Sequence, residues 1–293
     1  GLENLDQDLN LTNLKSLRYL NLGSNRIQQI KSYYFKYLNN IVEIVLSHNQ
    51  IDQIETNSFA NNHKIQLLDL SFNCLFLVGH HIFGNIKSLI SLRLIFNNNF
   101  LTEFNLNFNS IASLNLRNNK LYKLPKFVSS KLKSSSDLNL ADNFLSILKY
   151  SDFSDLSEIV RLWLNNNRLN SIEDKTFERL YSLKILDLSE NFLKRLENSL
   201  FLNLINLKFL NLSSNLIEIL NRTHFINLYS LIDLDLSNNP VKSIEANSFI
   251  NLNSLFKIFL DFNYAILKPE ILNGLERIKF IFISNDTDLI SYD

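Results

Sequence analysis

Three aspartates, Asp187, Asp233 and Asp235, are the residues whose type and spacing come closest to catalysis. Paired carboxylates cleave glycosidic bonds when one serves as acid and the other as base or nucleophile. Here they fall on an open strand face with no sign of a pocket, so solvated surface is the better account of them. His80 and His81 are adjacent, which fits no compact metal motif, and His48, His63 and His224 are scattered. No glycine-rich phosphate loop is present, and no nucleophile stands at a sensible spacing from a base. No enzyme activity, cofactor or metal is therefore implied. Recognition is the other chemistry on offer. Trp163 is the only tryptophan of the chain, and Arg161, Ile185 and Phe209 accompany it, with Asp187, Asp233 and Asp235 beyond them. An aromatic anchor beside arginine, with a charged rim, is the composition of a protein-binding hot spot.

What positions these residues is a repeat. Leu183 to Asn206 reads LKILDLSENFLKRLENSLFLNLIN, and a shift of 24 residues gives LKFLNLSSNLIEILNRTHFINLYS and then LIDLDLSNNPVKSIEANSFINLNS. Self-similarity at a fixed period of this length marks a stacked solenoid. One column of asparagines runs Asn25, Asn49, Asn73, Asn97, Asn119, Asn143, Asn167, Asn191, Asn215, Asn239 and Asn263, giving eleven repeats. A partial twelfth, with Ile278, Ile281 and Ile283, carries Asp286 in place of the asparagine. A second column, ten residues later, runs Phe35, Phe59, Phe83, Phe153, Phe177, Phe201, Phe225 and Phe249.

The unit L-x-x-L-x-L-x-x-N-x-L-x-x-L followed by F-x-x-L resembles the leucine-rich repeat family over essentially the whole chain. Its length and F-x-x-L half are similar to the "typical" subclass of Toll-like receptors, small leucine-rich proteoglycans and hormone-receptor ectodomains. The resemblance implies an α/β solenoid: one curved horseshoe domain over residues 1–293, with a parallel sheet on the concave face and an irregular or short-helical convex side. It also implies protein-protein recognition on the concave face, in the ectodomain of a receptor at the cell surface and anchored to the membrane in the full-length protein. The alternative is a secreted matrix or scaffold protein without a signalling role. Dimerisation stays open.

The alternation at the end of L-x-x-L-x-L is the period of a half-buried strand. Leu186, Leu188 and Leu193 point inward, and Leu183, Leu196, Phe201 and Leu204 complete the layer. An asparagine at the turn leaving the strand carries two donor hydrogens and an acceptor, so it can satisfy backbone groups in neighbouring turns. This predicts an inward-facing asparagine ladder. The outward middle column then reads Asn21, Val45, Asp69, Arg93, Asn115, Asn139, Trp163, Asp187, Asn211, Asp235, Phe259 and Phe282. The column before it includes Leu67, Ser91, Ser113, Asp137, Arg161, Ile185, Phe209, Asp233, Lys257 and Phe280. Asn97 marks an irregular coil: Asn99 stands where a leucine is expected, Phe100, Leu101 and Phe104 run two residues late, and the repeat ends short at Ser110. Ser135 also replaces a leading leucine. Phe259, Phe262, Phe280 and Phe282 form a second apolar cluster, the kind a truncated array exposes.

Composition bounds the rest. With 29 basic and 29 acidic residues the net charge is zero, which offers no basic footprint for nucleic acid. No apolar run reaches the roughly 20 residues that span a bilayer, and no signal peptide opens the chain. Cys74 has no partner for the disulfide caps usual in secreted relatives, and the chain holds no methionine. Together with its part-repeat ends, this suggests a piece of a longer array, or else an atypical member capped by other means. The run Val128 to Ser136 is the one low-complexity candidate. Glycosylation sequons at Asn10, Asn211, Asn221 and Asn285 are no more than so many asparagines produce by chance, although a glycan on Asn211 would cover the face near Phe209.

Overall fold

Among the described residues each coil begins with a short strand whose alternate residues are leucine or isoleucine, and those side chains fill the interior except in the end strands, where Leu20 is half-buried and Ile281 exposed. Leu183, Leu186, Leu188, Leu193, Leu196, Phe201 and Leu204 of one coil are all buried. At about 1.5–3 kcal/mol for each fully buried side chain, such a layer offsets much of the ordering entropy of its coil. The computed structural model describes residues 1–3, 5, 11–84, 92–105, 111–125, 136–154, 156–260, 269–275 and 277–283. The coils group into two compact units, the first comprising residues 1–145 and 158–161, the second residues 146–157 and 162–293.

In the first unit the strands Tyr19–Asn21, Glu43–Val45, Leu67–Asp69, Leu92–Ile95, Ile111–Asn115 and Ser136–Asn139 pair in that order, all parallel. In the second, Ile185–Asp187, Phe209–Asn211, Asp233–Asp235, Lys257–Leu260 and Phe280–Ile283 do the same. Each unit is thus a parallel-strand solenoid. The return halves are built from turns, short 3-10 stretches such as Tyr150–Phe153, and a feature the repeat pattern did not announce. Two-residue strands on that side pair in parallel too, Gln29–Ile30 with Gln53–Ile54 and Ile219–Leu220 with Ser243–Ile244. Behind them the phenylalanine column stacks coil on coil. Ring centroids lie 5.5 Å apart for Phe35–Phe59 and for Phe59–Phe83, and 5.6 Å apart for Phe153–Phe177.

The asparagines turn inward and stitch each coil to the one before. The Asn191 Nδ2 group donates to the carbonyl of Leu188 in its own turn (3.1 Å) and to that of Leu164 one coil back (3.0 Å), while its Oδ1 accepts from the Leu169 N–H (2.9 Å). The same three bonds recur at Asn49, Asn73, Asn119, Asn143, Asn215 and Asn239. Asn25 accepts from Leu2 N–H, and Asn167 donates to the Leu164 carbonyl. Asn263, Ser110, Ser135, Phe262 and all but the last residue of the Val128 to Ser136 run lie outside the described residues.

The irregular coil is read differently by the structure. Its ladder residue is Asn99, not Asn97. Asn99 donates to the carbonyls of Leu70 and Phe96 and accepts from Leu75 N–H, all within 3.1 Å, and it is buried. Asn97 is only partly buried, and its Oδ1 receives a long contact of 3.4 Å from Asn115. The backbone agrees. The residue before each ladder asparagine has positive φ, as at Phe72, Asn98, Asn118, Glu190 and Ser214. This left-handed turn is one that asparagine adopts most readily among non-glycine residues. The coil is therefore two residues longer than the usual 24 ahead of its strand, and the next coil, with Asn119 only 20 residues after Asn99, is four residues short. The register moves with it: Arg93 pairs with Leu67 and Ser113, and Ile95 with Asp69 and Asn115. Ile95, not Arg93, holds the outward middle position.

His224 shows what burial costs a titratable group here. It occupies the place that buried Leu200 fills one coil earlier. Desolvation pulls its pKa down to about 4, with a hydrogen bond to the Leu196 backbone and the Glu245 charge acting weakly the other way. A depressed pKa contributes stability that is present above the ordinary value and is lost as pH falls through the folded one.

Two outcomes follow for folding. Asn99→Ala should cost about 1–3 kcal/mol in chemical denaturation, through buried groups left unpaired, and Asn97→Ala should stay within roughly 0.5 kcal/mol. As pH falls from 6.5 toward 4, the parent chain should lose stability relative to His224→Leu, measured as the difference between their denaturation midpoints at each pH.

Candidate binding face

The outward face of the sheet in the second unit follows directly from strand register. Ile185, Phe209, Asp233, Lys257 and Phe280 lie side by side in one row across successive strands. Asp187, Asn211, Asp235, Phe259 and Phe282 form the next. The Leu164 N–H donates to the Asp187 carbonyl (2.8 Å), as Leu188 N–H does to Asn211 (2.9 Å), so Trp163 continues the second row. With strands about 4.8 Å apart, each row runs for some 20 Å. Apolar side chains stand at both ends, Trp163, Ile185 and Phe209 at one and Phe259, Phe280 and Phe282 at the other. Phe209, Phe280 and Phe282 are well exposed, whereas Trp163, Ile185 and Phe259 are half-buried by their neighbours.

The carboxylates between them divide by role. Asp187 Oδ1 accepts from the N–H (3.0 Å) and the hydroxyl (2.7 Å) of Ser189, and Asp235 Oδ1 accepts likewise from Ser237 at 2.9 and 2.6 Å. Asn211 makes the same turn with Ser213, and Asp69 with Ser71 in the first unit. The recurring Asx-x-Ser of the strand end is therefore a local turn lock, in which a short side chain replaces a missing backbone partner. Asp187 and Asp235 lie two strands apart in their row, each with one oxygen held by its own turn. Asp233 makes no such turn. Partial burial raises its carboxyl above the ordinary range; Lys257 beside it pulls the other way and Asp235 adds to the rise.

Arg161 is committed elsewhere. Its Nε and one terminal nitrogen grip both oxygens of Asp137 at 2.7 and 2.6 Å, within the first unit, and this forked bond raises its pKa further. The sequence pattern places it beside the aromatic anchor; the structure adds a bidentate bond to Asp137. The two residues stand one repeat apart in the same column, which is the signal that could have paired them. In the C-terminal cluster, Phe259 and Phe282 stack at 4.4 Å, and the Lys257 ammonium sits 5.9 Å from the Phe280 ring centre.

The remaining candidates are dispersed. His48 stacks on Phe72 at 4.2 Å, and Cys74 is a free thiol on the turn. No group of histidine, cysteine and acidic residues able to hold a metal occurs among the described residues. No described helix is long and apolar enough to cross a membrane. Of the sequons, Asn211 is locked in its turn, Asn221 accepts from the Thr223 hydroxyl at 2.6 Å, and Asn10 and Asn285 lie outside the described residues.

The model of the leucine-rich repeat family matches residues 15–75, 157–217 and 205–264, more than half of the chain. This chain belongs to the leucine-rich repeat family. Among solved structures, Toll in the Toll–Spatzle complex of Drosophila is similar over 95% of this chain at 21% identity, with a TM-score of 0.60. The glycosylated form gives 94%, 20% and 0.60. TLR13 in its complex with ssRNA13 matches over 96% at 18% identity, with a TM-score of 0.47. The chain spans about half the length of the Toll chains, 47%, and 65% of the TLR13 chain. At these identities the likeness is one of fold. No curated protein matches significantly.

Because the folded state disfavours the Asp233 charge, its contribution to stability is present below pH 4 and is lost as pH rises through its raised pKa. Asp233→Asn should therefore match the parent in melting temperature near pH 3.5 and exceed it modestly at pH 7. Paired thermal scans at the two pH values check this.

Proposed function

We propose that this chain is a protein-recognition module, part of a receptor-like protein acting at the cell surface or outside the cell. Its ligand is a protein or peptide received on the outward face of the parallel sheet, the face that lines the concave side in this family. The observation that supports the reading is the pair of rows in the second unit, where Trp163, Ile185 and Phe209 form an apolar platform next to Asp187, Asp233 and Asp235. The fold does not require those apolar residues there, since Asn, Asp and Ser serve the same positions in other coils. Large rings in a water-facing column offer buried area to a partner, and such rings dominate interface energetics. The acidic centre, offset in part by Lys257, selects a ligand that brings a basic residue between apolar ones. The protein ligand of Toll in its solved complex, Spatzle, suits this class of reading.

The test is a binding screen of secreted and cell-surface proteins against the chain, with each hit remeasured on Trp163→Ala and Phe209→Ser. Each variant should weaken a genuine hit by tenfold or more, about 1.4 kcal/mol or above. Trp163 fluorescence should also shift on binding. Hits that bind both variants as tightly as the parent would overturn the assignment of this face.

A further inference from the structure

A second surface lies in the first unit, on the flank just past the ladder asparagines and away from the sheet face. The residue after the ladder position is Gln50, Cys74, Phe100, Lys120 and Phe144 in successive coils, and Phe76 stands two positions beyond Cys74. The Phe76 and Phe100 rings stack at 5.5 Å. The Lys120 ammonium lies 5.8 Å from the Phe100 ring centre and 5.7 Å from that of Phe144, bridging two coils. All three rings are exposed, Phe76 at 58%, and Leu77 beside it at 57%. Scattered apolar residues on a surface need no explanation, but a contiguous patch does. Nothing in the repeat requires rings here, because glutamine, arginine and proline fill the same column at Gln50, Arg168 and Pro240.

The cation gives the patch its specificity. Among the described residues Lys120 meets no carboxylate; its partners are the faces of the two rings. Arg117 close by is already paired with Asp142. Lys120 itself is exposed, and a partner covering the two rings would take its ammonium out of water with them. A cover that brought no anion would pay that desolvation without return, whereas one bringing a carboxylate gains a charge-assisted bond in a dry setting. We infer that Phe76, Phe100, Lys120 and Phe144 form a docking site for a protein segment that presents an aspartate or glutamate between apolar side chains. This surface is separate from the sheet face, and the two assignments stand or fall independently.

The test uses the full chain as bait for a phage-displayed peptide library. Enriched peptides should carry an acidic residue flanked by leucine, phenylalanine or similar side chains. Their affinity should fall tenfold or more with Lys120→Glu and with Phe100→Ser, and stay within twofold for Trp163→Ala. Lys120→Glu should in turn bind the same peptide with its acidic residue changed to lysine. Every substituted side chain on this flank is exposed, and unchanged melting curves verify the fold. Enriched peptides that lack an acid, that ignore Lys120→Glu, or whose lysine versions fail to restore binding would overturn the proposal. Concentration-dependent dimerisation of the chain, abolished by Lys120→Glu, would overturn it in favour of a second copy as the occupant.

Discussion

The structure depends on one side-chain amide used many times. A stack of short parallel strands leaves backbone groups unpaired wherever the chain turns out of the strand. Burying those groups without partners costs on the order of 1–3 kcal/mol each. The ladder asparagine meets this cost with two donor bonds and one accepted bond, joining its own turn to the coil before it. Because Nδ2 reaches back 27 residues and Oδ1 receives from 22 residues back, at Asn191 as at Asn49, the amide also fixes how far one coil advances on the next. Leucine and phenylalanine supply the stabilisation. Asparagine supplies the register. Aspartate would lack the donor, and serine would lack the reach.

How much of this the sequence reveals depends on whether a residue's role repeats. The inward leucines, the phenylalanine stack and the strand direction are legible because each is set by a side chain that must recur every coil. The position of Asn99 is not legible by counting, because Asn97, Asn98 and Asn99 are identical and any of them could continue the column. Anchoring instead on the leucine two residues after the asparagine would have found it, since Leu101 follows Asn99 as Leu75 follows Asn73. The error carried into the surface, moving Arg93 into a column that Ile95 occupies. The pairing of Arg161 with Asp137 escaped for another reason. Columns read along a single repeat do not show which long side chains reach across to the next. The Asx turns of Asp187 and Asp235 are visible as a composition rule, but only geometry shows that the rule is a hydrogen-bonded lock.

That lock matters for function, because it separates side chains the fold has spent from those it has left to spend. On the outward rows Asp187, Asn211 and Asp235 hold their own turns, so variation there is restricted to short acceptors. Trp163, Ile185, Phe209 and Asp233 carry no such duty. On the flank, the column after the ladder accepts glutamine, cysteine, lysine or phenylalanine with the same backbone bond to the coil before. Leucine-rich repeats turn many surfaces to recognition for this reason: the interior is dictated by burial and backbone satisfaction, and the positions between are free to be chosen by a partner.

The ladder itself is open to direct measurement. Hydrogen exchange of the asparagine side-chain amides, followed by NMR on selectively labelled chain, reports each Nδ2 group separately. Strong protection of the amides of Asn49, Asn73, Asn99, Asn119, Asn143, Asn191, Asn215 and Asn239, with solvent-like exchange at Asn97, is the predicted result. Rapid exchange across the whole column, or protection at Asn97 with exposure at Asn99, would contradict the account.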